Sequence, residues 1–398
     1  MASSISLKSL FWMLFKSGSI SWGGFMSLIA TVQSYIKKEN LLEEREVLDT
    51  IFLASILPGS MAINVIVGLG YRLHGIRGAI VCGVGVLLPT FVLVLGLSIA
   101  YFQWGQIPVI NKLLMGLTPA IVAIILSAAW SMGYKAIKKL PEIAISLAAC
   151  FILLEFKGFY STISVVLASG ITGWLLFRQS AAISPEPSKP ELSKLAITTK
   201  EQSESKDLNK LLSVSTLPTV WLLTVQPSLT LKLFTTFAAA SVTLFGGGYV
   251  FIPIIQKLVV DGQGWVTNKE FIDGLIISQI TPGPILITSA FIGYKVAGLL
   301  GAISATAGMF LPPALLMLVG MHFLEALKQS ANVKAALRGI RPAVVGMLLA
   351  AAIVVGTTAP LHWGSIVIFA AVLIALIRFR VEVAMLLPFA GLASLILY

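Results

Sequence analysis

The polar positions of this chain fall in brief clusters between long apolar runs. In the first part the runs cover residues 11 to 36, 48 to 71, 79 to 101, 112 to 134, 141 to 156 and 159 to 178. Most are long enough to cross ~30 Å of hydrocarbon as helix, although the fifth is short for a span. The runs are continuous rather than alternating, which predicts helices and not barrel strands. After 178 the pattern changes to Ser184-Pro-Glu-Pro-Ser-Lys-Pro190 and scattered Lys and Glu, a stretch that cannot bury a core. Six further runs follow, near 231 to 256, 271 to 294, 299 to 322, 337 to 356, 363 to 378 and 383 to 397. The expected fold is an all-α polytopic membrane protein. Its units are an N-terminal repeat over 1–178, a polar linker over 179–230 with a candidate extra membrane segment at 211–225, and a C-terminal repeat over 231–398.

The two units repeat one another. Trp22-Gly23-Gly24 falls on Phe245-Gly246-Gly247, and Gln33 on Gln256, at an offset of 223. Glu46, Asp49, Pro58 and Gly59 fall on Glu270, Asp273, Pro282 and Gly283 at 224. The offset returns to 223 for Tyr71, Arg72, Gly75, Gly78, Pro89, Gly116 and Pro119, which meet Tyr294, Lys295, Gly298, Gly301, Pro312, Gly339 and Pro342. One insertion and one deletion in that many matches is the register of a duplicated fold. Duplicated membrane halves are an architecture of secondary transporters, with the substrate site near mid-depth between the repeats.

Charge decides the relative orientation of the halves. In the first half Lys135, Lys138 and Lys139 follow the fourth run while 102 to 111 carries no Lys or Arg. In the second half Lys328, Lys334, Arg338 and Arg341 occupy 323 to 341, while 357 to 362 carries none. Equivalent loops then face opposite sides, which predicts inverted repeats and an odd number of crossings between them.

Composition narrows the class further. The chain is 57% hydrophobic, 11% charged and has a mean hydropathy of +0.94, values that exclude an ordinary soluble domain. The net charge of +11 is dispersed between apolar runs, so it reads as a topology signal and predicts no nucleic-acid partner. Cys82 and Cys150 lie inside apolar runs without a CxxC partner, and His74, His322 and His362 show no ligand spacing. No metal, cofactor or enzyme chemistry is expected, and the N-terminus, lacking a cleavage site, is expected to be retained.

Candidate chemistry lies where both halves interrupt an apolar run: at Gly23-Gly24 and Gly246-Gly247-Gly248, and at Pro58-Gly59-Ser60 and Pro282-Gly283-Pro284. Proline and paired glycines break the helix ladder, and a helix end created inside the membrane offers free N–H groups to an anion. A kink or a close helix crossing is the alternative for any one of them. Gln33, Gln256, Gln279 and Thr281 add neutral donors nearby. Arg72 and Lys295 either neutralise a dianion or anchor at the interface, and Asp49 and Asp273 either cap helices or couple transport to protons.

Leu244-Phe-Gly-Gly-Gly-Tyr-Val-Phe-Ile-Pro253, Gly264-Trp-Val and Ser278-Gln-Ile-Thr-Pro-Gly-Pro284 resemble the chromate ion transporter family, and Trp22-Gly-Gly-Phe25 and Leu57-Pro-Gly-Ser60 are their degenerate partners. The first half departs from the family pattern at Ser55 and Ser60. The resemblance implies a multi-pass carrier in a bacterial inner membrane. Such a carrier exports chromate, with sulfate as the similar anion, by alternating access driven by the membrane potential or a proton gradient. The bilayer and a second copy in a homodimer are the expected partners.

Overall fold

The computed structural model describes residues 5–20, 25–39, 41–104, 108–156, 159–183, 229–245, 248–324, 330–359, 362–379, 381 and 383–397. The candidate span at 211–225 therefore lies outside the described residues, as do Gly23, Gly24, Gly246 and Gly247. Among the described residues there are fourteen α-helices and no strand. The first half holds α1 (Leu7–Ile20), α2 (Phe25–Lys38), α3 (Glu44–Ile56), α4 (Met61–Trp104), α5 (Pro108–Ala136), α6 (Leu140–Glu155) and α7 (Phe159–Ile183). The second holds α8 (Leu229–Ser241), α9 (Phe251–Gln256), α10 (Asn268–Ile280), α11 (Thr288–His322), α12 (Ala331–Gly356), α13 (Trp363–Arg378) and α14 (Val383–Leu397). Among the described residues five helices are long and apolar enough to cross a bilayer, and the protein is a multi-pass membrane protein.

Four runs expected to span as single segments do not, among them 231 to 256, which is α8, a 3₁₀ turn at Gly248–Val250 and α9. The run 48 to 71 is two antiparallel half-helices, α3 and residues 61–73 of α4, joined by a turn at Leu57–Ser60. The run 271 to 294 is likewise α10, a turn through Pro282 and Gly283, a 3₁₀ turn at Ile285–Ile287 and residues 288–296 of α11. Each half-helix of 13 residues is about 20 Å long, too short to cross, so each pair is a re-entrant hairpin. In the run 11 to 36, α1 and α2 are separate 14-residue helices flanking the first glycine cluster. At the two hairpins the physical cause is the Pro-Gly step: proline lacks the N–H that would continue the ladder, and the glycine takes a positive φ that a helix does not use.

The far ends of the hairpins are sharp corners built on glycine. Within α4, His74 and Gly75 leave helical geometry, with Gly75 at φ 58° and ψ −148°; within α11, Ala297 and Gly298 do the same, with Gly298 at φ 59° and ψ −147°. After each corner the chain doubles back so closely that Gly70 meets the backbone of Gly78, and Gly293 that of Gly301. A Cβ at any of the four would overlap a carbonyl.

These corners fix the relation of the halves. Residues 76–104 of α4 start at the base of the first hairpin, and their far end, Tyr101 and Phe102, packs on Phe291 and Tyr294 at the base of the second. Residues 299–322 of α11 start at the base of the second hairpin and end with His322 against Tyr71 at the base of the first. One straight helix therefore joins the two bases, so the hairpins enter from opposite faces and the repeats are inverted. We call the side of the first base face one and the other face two.

The remaining helices interlock across the dyad. α5 of the first half packs against α13 and α14 of the second, and α12 of the second against α6 and α7 of the first. The pairings α5 with α13 and α12 with α6 are equivalent under the repeat. Small residues permit the approach: Gly346 meets the Ser146 carbonyl, and Gly339 that of Ser169. At face one Arg338 of α12 pairs with Glu142 of α6 at 3.3 Å and lies 4.4 Å from the Phe177 ring of α7. The end of α7 lies at this face, where Trp174 donates to Asn332, whereas α8 begins at face two, where the Ser304 hydroxyl reaches the Thr230 carbonyl.

Inversion has a direct test. Cysteines introduced by Lys38→Cys and by Lys269→Cys, both at exposed positions, are expected to react with a membrane-impermeant maleimide from opposite sides of sealed vesicles. Labelling of both from one side would refute the arrangement.

Candidate functional site

The two hairpin tips and the segment after α8 meet inside the protein. At the first tip Gly59 has φ 95°, a conformation that suits glycine, and its N–H donates to the Leu244 carbonyl at 2.7 Å. The Asn64 amide donates to the Pro58 carbonyl at 2.9 Å, closing the turn from inside. At the second tip Gly283 has φ 127°. There the Thr90 hydroxyl donates to the Pro282 carbonyl at 2.5 Å. Behind it the Thr288 hydroxyl donates to the Ser278 hydroxyl at 2.9 Å, and Ser278 donates to the Gly274 carbonyl at 2.8 Å.

Each tip rests on the spanning helix of the other half. Gly59 packs on Pro313 of α11, and Gly283 packs on Thr90 of α4. Thr90 and Pro313 are equivalent under the 223-residue offset, so one contact is made twice about the dyad. The chain after α8 touches both tips. Leu244 accepts from Gly59, Gly248 packs against Ile285 and Leu286, and half-buried Tyr249 meets the side chain of Gln279.

Among the described residues two donors at this junction have no acceptor in hydrogen-bond geometry: Gln279 Nε2, whose side chain lies against Tyr249, and the hydroxyl of Ser289, which is fully buried. A buried donor without an acceptor costs about 1–3 kcal/mol, so such atoms mark a place for an acceptor ligand. The half-helices starting at residues 61 and 288 point their N-terminal ends into the same region, at Ser60 (5% exposed) and at Thr288. Each tip also carries the C-terminal end of α3 or α10, so an anion is favoured only on the N-terminal side of each turn.

The structure brings Pro58, Gly59, Ser60, Gly248, Gln279, Thr281, Pro282, Gly283 and Pro284 together at the tips. It does not bring Arg72 and Lys295 there. Arg72 lies twelve residues up a helix from the first tip, about 18 Å away, where Nη1 contacts Glu46 at 3.2 Å and Nε donates to Thr50 at 2.9 Å. Lys295 contacts Glu270 at 2.7 Å, and Glu270 forms a capping box with Thr267. Both cations clasp the bases of their hairpins. Gln256 also stands near face two, donating to Asn268 at 2.9 Å with its own Oε1 unpartnered, and Gln33 is half-buried on α2. Asp49 is half-buried on α3, while Asp273 is 3% exposed and accepts from Tyr101 at 2.6 Å.

Thr90, Tyr101, Tyr249 and Ser289 were absent from the sequence-level candidates. Thr90 was recoverable as the residue matching Pro313. Tyr101 had no such signal, because its counterpart is Leu324.

The two bases differ. A cavity of about 440 Å³ lined by Glu46, Tyr71, Arg72, Met321 and His322 opens at the first. At the second, Phe102 lies 5.0 Å from the Phe291 ring and 6.1 Å from that of Tyr294, and Lys295 sits 5.0 Å over Phe102. Aromatic rings fill the place that is hollow at face one.

With this geometry in view, comparison with known proteins is direct. The profile of the family described as chromate transporter matches residues 8–174 and 231–395, one match for each inverted half. The chain belongs to the chromate transporter family. A chromate transport protein of Cupriavidus metallidurans is 28% identical over 397 residues, 99% of this chain and 91% of the relative. An uncharacterised transporter of Methanocaldococcus jannaschii is 26% identical over 352 residues, 87% of this chain and 84% of the relative. An uncharacterised transporter of Bacillus subtilis is 28% identical over 163 residues, which is 40% of this chain and 92% of that protein, so this member of the match set has the size of one half. No solved structure matches the chain significantly.

The tips of this chromate transporter family member yield a stability prediction. Gly59→Ala and Gly283→Ala each combine positive φ with overlap on Pro313 or Thr90 and are expected to destabilise the protein by about 2–4 kcal/mol. Gly75→Ala also has positive φ but nothing within 4 Å, and is expected to cost about 1 kcal/mol. Thermal unfolding in detergent, comparing all three variants, checks the order.

Proposed function

We propose that this protein is a secondary transporter that exports chromate from the bacterial cytoplasm across the inner membrane by alternating access. The tetrahedral anion binds between the two re-entrant tips. The observation that carries this reading is the junction itself: two helix N-termini from opposite faces and the unpartnered donors Gln279 Nε2 and Ser289 Oγ, all at mid-depth. Pro58, Gly59, Ser60, Thr281, Pro282, Gly283, Pro284 and Gly248 shape the walls of that site. The family assignment and the names of relatives support chromate as the anion. Sulfate is the second reading, since neutral amide and hydroxyl donors meet any tetrahedral dianion alike.

Orientation and direction follow from charge. Lys37, Lys38, Arg45, Arg72, Arg77, Lys138, Lys139, Arg178, Lys334 and Arg338 belong to face one, against Lys112, Lys257, Lys269 and Lys295 at face two. The positive-inside rule makes face one cytoplasmic. The cavity beside Arg72 then opens to the cytoplasm and the aromatic cluster seals the outer side. An interior-negative potential favours departure of a dianion by about 4.6 kcal/mol at 100 mV. The clasps Glu46–Arg72 and Glu270–Lys295 hold each hairpin shut at its base while the tips exchange access.

Radiolabelled chromate flux into everted vesicles tests the reading. Uptake that depends on the potential and is inhibited by sulfate is expected. Gln279→Ala and Ser289→Ala are each expected to raise the KM for chromate about 5- to 20-fold, the loss of one buried hydrogen bond to a charged ligand. Gln279→Glu, which places a carboxylate against the anion, is expected to abolish uptake at normal protein level. Unchanged kinetics in all three variants would remove the tips as the site.

A further inference from the structure

The inverted repeat is symmetric at its tips and asymmetric at one acid. Asp49 and Asp273 are equivalent positions, yet Asp49 is half-buried and Asp273 is 3% exposed. Tyr101, the side chain that meets Asp273, comes from the spanning helix of the other half, and its equivalent in the second half is Leu324. The Asp–Tyr pair is therefore not repeated in sequence at the first hairpin, where the position of Tyr101 is taken by Leu324. Tyr101 is itself locked in place by edge contacts to Phe102 at 5.1 Å and Phe291 at 5.3 Å, rings of the cluster that seals face two.

The charged and titratable groups acting on Asp273 are few. Tyr101 faces it from α4; Lys269 and Glu270 lie on its own helix, and Glu270 is bound by Lys295 of α11. Among the described residues α5 and α14, which also pack on α10, bring no ionisable group to it, and no cation lies within ion-pair distance. Asp273 lies one turn above exposed Lys269, is buried, and accepts the Tyr101 hydrogen bond. Carboxyl groups so placed in transporters carry protons.

We propose that Asp273 is the proton-binding site of the transporter, loaded from face two and released by the movement that exchanges access, so that a proton enters for each anion that leaves. Tyr101 is its positioning residue. With face two open, the Asp273 carboxylate takes a proton from water on that side and keeps the Tyr101 hydrogen bond on its other oxygen. With face two closed and face one open, the proton passes to water reaching the site from face one, leaving the carboxylate, and the phenol keeps its own proton throughout. The site lies on the hairpin entering from the outer face, where proton potential is high in a respiring cell. This inference rests on the export reading above but specifies the coupling ion and its residue.

The test uses purified full-length protein in proteoliposomes with the membrane potential clamped to zero and both sides alkaline enough for chromate to remain a dianion. With the lumen one unit more acidic than the medium, wild-type protein is expected to accumulate chromate up to about tenfold, the limit for one proton per anion. With Asp273→Asn the ratio of uptake with and without the gradient is expected to fall to about one, whatever the absolute rate. With Tyr101→Phe the gradient response is expected to survive but its pH midpoint to move, because the carboxylate has lost its only donor. An Asp273→Asn protein that responds to the gradient as wild type does would overturn the assignment, as would wild-type flux indifferent to the gradient. Wild-type vesicles that move no chromate under any gradient would instead overturn the export reading on which it stands.

Discussion

A backbone broken at the middle of a bilayer has no water to complete its hydrogen bonds, and most of this structure is a response to that constraint. The Gly59 N–H and the Pro282 carbonyl are such groups, and both are satisfied from outside their own hairpin, by Leu244 and by Thr90. Both satisfying residues belong to the opposite half. Neither half can therefore present its tip without the other, and the interlocked helices α5 with α13, α14 and α12 with α6, α7 follow as the scaffold that keeps the halves in register. The same constraint explains the small residues at Gly70, Gly78, Gly293 and Gly301: a half-length hairpin must turn and lie flat on the next helix without leaving a polar gap.

Inversion turns this mutual support into a device with two mouths. Residues 76–104 and 299–322 each run from one hairpin base to the other, passing the opposite tip near their middle. A tilt of either helix thus moves one base and the far tip together. The two mouths are chemically alike in their clasps, Glu46 with Arg72 and Glu270 with Lys295, and unlike in what surrounds them. Arg72 borders a cavity beside His322, whereas exposed Lys295 sits over the Phe102 ring. The two bases of the repeat thus differ in the side chains that surround otherwise equivalent ion pairs.

Much of this was legible in the residues. The repeat offsets, Pro58-Gly59 on Pro282-Gly283 and Gly75 on Gly298, located the tips and the corners, because glycine and proline act on the backbone locally and leave the same mark wherever they recur. The positive-inside reading of Lys138, Lys139, Lys334 and Arg338 anticipated inversion, since those residues all lie at face one. Hydrophobicity alone misled at 48 to 71 and 271 to 294: a buried re-entrant hairpin is as apolar as a span, and only its half-helix lengths distinguish it. Arg72 and Lys295 were candidates for a bound anion because sequence shows charge but not its partner. The glutamates that hold them lie some 25 residues away along the chain. Tyr101 and Ser289 were illegible for the opposite reason, having no repeat counterpart of similar chemistry.

That illegibility carries meaning. A duplicated gene begins with two identical halves, and structural constraints that act on both keep them alike, as at Gly59 and Gly283. Positions where the halves diverge are those where the two faces of the membrane ask for different things. Asp273 with Tyr101 lies at the base of the second hairpin, and the donors Gln279 and Ser289 sit on that same hairpin, while the first half offers Ser55 and Val65 or Ile66 in their places. The first hairpin keeps the shape and the second concentrates the polar chemistry. The junction between the tips is therefore chemically polar along the membrane normal, although the backbone that forms it is repeated about the dyad.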